Sequence, residues 1–179
     1  DYGFLDDEQA PDTVNPSLWR QARLNRIHGL FEVTPRIFQV RGFDIANITF
    51  IEGDTGLIAL DALSGAENAA AALALYRRHR DPDGRRALHT VMYSHSHSDH
   101  FGGVRGVTTQ ADVDAGRVRI IAPAGFMHEA VAENVIAGVA MGRRSHFQFG
   151  QTLPRGPEGQ VDAGLSKALI QTKTAPEEA

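Results

Sequence analysis

The stretch "YSHSHSDHFGGVRGV", residues 93–107, sets three histidines and an aspartate within six positions, directly after the apolar run "ALHTVMYS" and directly before a glycine pair. Imidazole nitrogen and carboxylate oxygen are the donors that zinc and related divalent ions take from proteins. In an extended chain alternate residues share a face, so His95 and His97 point the same way. Gly102 and Gly103 help the backbone change direction, and Asp99 and His100 then face a second point close to the first. His95, His97, Asp99 and His100 are therefore read as metal ligands laid out for two ions.

Working outward, "ALHTVMYS" (87–94) reads as a short strand, and the motif begins at its carboxyl end. Ligand sites in layered α/β folds collect there, because the loops leaving the strands converge above the sheet. Upstream, residues 30–63 are rich in β-branched and aromatic side chains broken by turn signals at Thr34-Pro35, Arg41-Gly42 and Gly53 to Gly56. This predicts four antiparallel strands at 31–34, 36–41, 46–52 and 56–61. "SGAENAAAALALYRRHR" (64–80) predicts a helix with Ser64 as its cap and Glu67 three residues on. Downstream, "VRIIAPA" (118–124) predicts a buried strand, and residues 125–150 one long helix with Phe126, Ala130, Ile136 and Val139 as its apolar positions. Residues after Gly150 read as mostly loop. Residues 1–29 form an extended lead-in with a short helix, capped by Ser17 and packing Leu18, Trp19 and Leu24 inward. Residues 30–179 then form the α/β unit.

Composition narrows the function. A chain of 179 residues with 42% hydrophobic and 22% charged residues fits one domain. Its formal net charge of -4 gives nucleic acid no basic field to bind. The arginines at 77, 78, 80, 85 and 86 read as a solvated helix end that complements the helix dipole. Without cysteine, histidine and carboxylate are the whole metal-binding repertoire. No apolar run approaches the roughly 20 residues of a membrane span. The chain starts at Asp1, from which a processed or partial polypeptide is expected.

The pattern HxHxDH after a buried strand and before Gly-Gly, carried by His95, His97, Asp99 and His100, resembles the signature of the metallo-β-lactamase superfamily. Five segments are similar to the alkyl sulfatases of that superfamily, which hydrolyse dodecyl sulfate and related esters to alcohol and inorganic sulfate. They are "PDTVNPSLWRQARLN", "FQVRGFDIANITFIEGDTG", "HSHSDHFGGVRGV", "AENVIAGVAMGRR" and "LPRGPEGQVDAGL". The resemblance implies an α/β fold, the αββα sandwich of that superfamily, with the first half of the catalytic domain in this chain. It implies two zinc ions, one on His95 and His97 and one on Asp99 and His100, with further ligands downstream. It also implies a homodimer, a C-terminal lipid-binding-like domain for alkyl chains, and a periplasmic or secreted location. Two other readings stand beside it: an iron-dependent dioxygenase on the same fold, and an inactive truncated half-domain that binds metal weakly.

Around the motif, Asp61 ends a strand and reads equally as a support for the metal loop or as a turn cap. Tyr93 and Ser94 read as packing residues, and Arg105 as a group that meets sulfate or pairs with a carboxylate. Glu129 and Glu133 share a helical face and read as solvated. His28, His79, His89, His128 and His146 have no spacing that suggests ligation.

Overall fold

The structure, a computed structural model, describes residues 2–166. Strands β1 (Gly29–Thr34), β2 (Ile37–Arg41), β3 (Ile48–Glu52) and β4 (Leu57–Leu60) follow one another through short connections. Each pairs antiparallel with the next, as expected. Strict alternation along β2, β3 and β4 puts Phe38, Val40, Ile48, Phe50, Leu57 and Ala59 on one face, where all are buried. Helix α2 (Ala66–Arg80) covers that face with Ala69, Ala72 and Tyr76, spaced to share one side of a helix. The small alanines let the helix approach closely, and the Tyr76 ring packs tilted against that of Phe50 at 4.8 Å between centroids.

The α2 crossover returns the chain so that β5 (Leu88–Met92) lies parallel to β4. The chain then runs through α3 (Ser98–Phe101), a 3-10 turn at Val104–Gly106 and α4 (Gln110–Asp114) to β6 (Arg119–Ile121), which lies parallel to β5. Helix α4 is capped by the Thr109 side chain, which accepts from Asp112 N at 3.2 Å. The result is one six-stranded sheet in sequential order, antiparallel in its first half and parallel in its second.

Four expectations need correction. Ser64 does not cap α2; its hydroxyl donates to the buried Asp44 at 2.6 Å, and Gly65 occupies the cap position. Ser17 lies inside α1 (Pro16–Leu24), which is capped by Asn15 with Pro16 at the first turn; of the three expected inward residues only Trp19 is buried. The strand at 118–124 is shortened to β6, and its three residues are exposed, because it is an end strand pairing only with β5 among the described residues. The long helix is broken into α5 (Phe126–Val131), a π turn (Ala132–Ile136) and α6 (Gly138–Phe149). A π turn widens the helix and rotates every later residue about its axis. Ala130, before it, is buried as expected; Ile136, its last residue, and Val139, on α6, are 80% and 77% exposed, and the spacing of Val139 from Ala130 turns it to the opposite face even in an unbroken helix.

The lead-in is less extended than its prolines suggest, since Gly3–Asp6 forms a 3-10 turn. Leu5, Val14, Trp19 and Ala22 build a second small core there, joined by Val161 from the tail. Thr13 Oγ1 donates to Pro157 O at 2.7 Å and Asn25 Nδ2 to Asp162 Oδ1 at 2.8 Å, fastening the tail to the first helix.

Candidate metal centre

The histidine loop is held at the ends of two parallel strands. Asp61 N donates to Met92 O at 2.9 Å, and Tyr93 N to Ile121 O at 2.9 Å, so three strand ends are joined at one level. Beneath the loop the segment after β4 folds sharply: Asp61 and Leu63 both take left-handed backbone conformations, with φ of 58° and 63°. For a buried leucine that conformation costs on the order of 1 kcal/mol. It is offset by bonds that fasten the two segments, Ala62 N to His100 O at 2.7 Å and Gly103 N to Leu63 O at 2.8 Å.

Gly102 and Gly103 have φ of -58° and -85°, which any residue adopts. Glycine is needed here for approach, which corrects the expectation of a change of direction. A Cβ on Gly103 would collide with the carbonyl oxygens of Ala62 and Gly65, and one on Gly106 with that of Ala66. The loop therefore presses on the start of α2 with bare backbone.

This scaffold brings the four predicted residues together. The His95 ring lies 4.5 Å from that of His97 and 4.1 Å from that of His100, between centroids. His100 Nε2 faces Asp99 Oδ2 at 3.3 Å. Asp61 supports the loop from below: its carboxylate accepts from Ser94 N at 2.8 Å, Ser94 Oγ at 2.7 Å and His100 Nδ1 at 2.8 Å. That separates the two readings of Asp61 in favour of loop support. Ser94 also sits 2.9 Å from His95 Nδ1, so it is polar scaffolding rather than packing alone. Tyr93 does pack, against Phe101 and Phe126.

Glu133 is the residue that sequence reasoning set aside. Its Oε1 lies 3.1 Å from His97 Nε2, and the neighbouring Asn134 donates to Ser96 O at 3.3 Å. The π turn aims both residues at the histidine loop, and such turns recur at functional sites. No spacing rule for a regular helix could have signalled it. Among the hydrogen bonds of the described residues, none links His28, His79, His89, His128 or His146 to the cluster.

The electrostatics follow from the contacts. The carboxylates of Asp61 and Asp99 push the His100 imidazole up to about 9. Burial raises the Asp61 carboxyl, but the hydrogen bonds from His100 and Ser94 outweigh it and hold the group below its ordinary value. Asp99 behaves likewise, with His100 outweighing burial. His95 is lowered by burial and then by the neighbouring imidazoles of His100 and His97.

Nitrogen and oxygen donors packed this closely, with one imidazole oriented by a carboxylate behind it, are the chemistry of a divalent transition-metal site. The donors converge pairwise. Among the described residues no three histidine or carboxylate groups are disposed to hold one ion together. The set fits a metal as a partial one.

Beside the loop opens a cleft of about 450 Å³. It is lined by His97, Ser98 and Asp99 of the loop, by Glu133 and Asn134 of the π turn, and by residues of α6. Arg105 does not line it; that residue is exposed on the turn Val104–Gly106. No described helix is long and apolar enough to cross a membrane.

Comparison with known proteins extends this geometry. The chain is 56% identical over 173 residues to an (R)-specific secondary-alkylsulfatase from Pseudomonas sp., covering 97% of this chain and 26% of that protein. It is 56% identical over 167 residues to an alkyl/aryl-sulfatase of Saccharomyces cerevisiae, covering 93% of this chain and 25% of the relative. The solved structure of a stereoselective inverting sec-alkylsulfatase from Pseudomonas sp. superposes with a TM-score of 0.86 at 57% identity, over 94% of this chain and 26% of that one. The chain thus spans about a quarter of the length of these relatives. The profile of the metallo-beta-lactamase superfamily, a fold that implies metal binding, matches residues 41–174. On that match, and on the strand order and histidine loop described above, the chain belongs to the metallo-beta-lactamase superfamily.

Proposed function

We propose that this chain provides the metal loop of an enzyme that hydrolyses alkyl sulfate esters, such as dodecyl sulfate, to the alcohol and inorganic sulfate. The observation that carries the reading is its 53–56% identity, over more than nine-tenths of its length, to three proteins named alkylsulfatases. In this proposal His95 and His97 hold one zinc ion and Asp99 and His100 a second, with ligands from outside the described residues completing each. Zinc there would bring the pKa of a bound water toward neutrality and offset charge on the sulfate oxygens.

The chain's own residues prepare the donors. Ser94 spends its hydroxyl proton on Asp61, so its oxygen accepts from Nδ1–H of His95 and leaves Nε2 of that ring with a free lone pair. Asp61 likewise fixes Nδ1–H of His100 and directs Nε2 toward Asp99. Loading the site requires the proton on Nε2 of His100 to leave. The family resemblance extends the proposal to a homodimer in a periplasmic or secreted location.

The test uses the protein as its gene encodes it. Sulfate release from dodecyl sulfate should stop after thorough chelation and return with added zinc. Release that continues at full rate without metal would sink the reading, and iron in the purified protein with persulfide turnover would replace it by the dioxygenase.

A further inference from the structure

We infer that Arg144 of α6 is the residue that holds the sulfate group of the substrate in the cleft beside the histidine loop; the inference rests on the alkyl sulfate reading above. Met141, Arg144, Ser145 and Gln148 all line the cleft, and their spacing of three and four residues puts them on one face of α6. Arg144 is the one arginine or lysine among the described residues lining it.

What singles it out is that its charge is not used up. Two carboxylates line the same cleft, and each faces a histidine instead: Asp99 lies 3.3 Å from His100 Nε2, and Glu133 lies 3.1 Å from His97 Nε2. Other arginines of the fold are engaged, Arg80 and Arg86 with Glu52, Arg77 with Asp81, Arg117 with Asp112. Arg144 makes no ion pair or side-chain hydrogen bond among the described residues. An exposed guanidinium left unpaired in a cleft with two carboxylates is available to an anion entering from solvent.

The substrate fits that opening. A sulfate monoester keeps one negative charge on a group of three equivalent oxygens, and the planar fork of arginine donates to two of them at once. Met141 and Phe149 line the same helical wall and offer apolar surface to the alkyl group. Arg144 thus serves as a binding residue, selecting the ionic head of the ester while the histidine loop lies by the C–O and O–S bonds of the ester linkage.

The test compares Arg144→Gln and Arg144→Lys with wild type in the protein as its gene encodes it. Arg144→Gln should raise KM for octyl sulfate ten-fold or more, with zinc content and thermal midpoint unchanged, and Arg144→Lys should recover part of the loss. Calorimetry on the metal-stripped protein gives a readout apart from turnover: octyl sulfate binding should weaken in Arg144→Gln while octanol binding stays as in wild type. An unchanged KM in Arg144→Gln, or equal weakening of octyl sulfate and octanol, would overturn the inference. A variant that loses zinc or folds poorly also counts against it, since an exposed binding residue has no structural task. Wild-type protein without turnover of any alkyl sulfate would instead refute the underlying reading.

Discussion

The strands β2 to β4 and the arm formed by β6, α5 and α6 carry similar apolar side chains to opposite ends. In the first region Val40, Ile48, Phe50, Leu57 and Ala59 are completely buried. In the second, Ile121, Val135, Ile136, Val139 and Phe147 are exposed, Phe147 to 93%. The difference lies in where the covering layer comes from. Helix α2 follows β4 directly in the chain and closes on the sheet face that β2 to β4 have just made. No layer among the described residues does the same for the arm. An apolar pattern specifies a face, and burial also needs a partner for that face.

The largest expected effect separates the two regions outright. Phe50 sits at the centre of the first, against Tyr76 and flanked on the neighbouring strands by Phe38 and Ala59. Phe50→Ala removes buried aromatic surface from a site backed by helix and sheet, and should cost about 3–5 kcal/mol in denaturant unfolding. A loss below about 1 kcal/mol would mean that this core is far looser than its burial indicates.

The next test falls at the junction of the regions, where Asp61 follows β4 and holds the histidine loop. Asp61→Ala removes the partner of His100 Nδ1 and both acceptors of Ser94. Outer carboxylates of this kind are worth about 10–100-fold in metal affinity. Zinc competition against a chromophoric chelator should show that weakening, on top of modest affinity for residues 1–179 alone, since no three donors group together among the described residues. Tight binding of two zinc ions by the 179-residue chain would contradict the pairwise geometry.

Acid should act on the first region through Asp81, at the end of α2. Its buried carboxylate accepts from the backbone of Arg85 and Arg86 and pairs with Arg77. Burial raises this carboxyl, but the hydrogen bonds from Arg86, Arg85 and Arg77 outweigh it, so its folded pKa lies below the ordinary 3.8. A depressed carboxyl stabilises the fold above its unfolded pKa, and that contribution disappears as pH falls through the folded value. Unfolding free energy should therefore decline as pH falls below about 4. Asp81→Asn should flatten that decline, and an unchanged acid slope would remove Asp81 from the account.

Sequence patterns located the sheet and the loop because both are built from local signals. Alternation over 37–41 and 48–52 decided strand and face together, and the density of ligand-type residues at 95–100 marked the site. Three features were not legible for physical reasons. The need for glycine at 103 and 106 comes from the carbonyls of residues 62, 65 and 66, which are distant in sequence. The caps went to Asn15 and Gly65 because Ser64 had a stronger bond available to a buried carboxylate, and Pro16 fixed the start of α1. Glu133 reached His97 only through a π turn, which no 3.6-residue period announces.

The smallest expected effect sharpens the comparison from the side of the arm. Val139 lies on α6 after the π turn, 77% exposed, and the cleft is lined by other residues of the same helix. Val139→Ser in the 179-residue chain deletes little buried surface, and valine and serine have similar helix propensities, so the change should stay within about 0.5 kcal/mol. If the face of α6 that carries Val139 were instead packed within the 179-residue chain, losing a buried valine would cost on the order of 1.5–3 kcal/mol. Denaturant midpoints of the two chains, measured beside Phe50→Ala, distinguish these arrangements by several-fold in the size of the shift. The same substitution in the protein as its gene encodes it asks a further question. A penalty that appears only there would show that the arm's exposed face is covered by residues outside those described, while no penalty in either setting would leave Val139 a solvent-facing residue of α6.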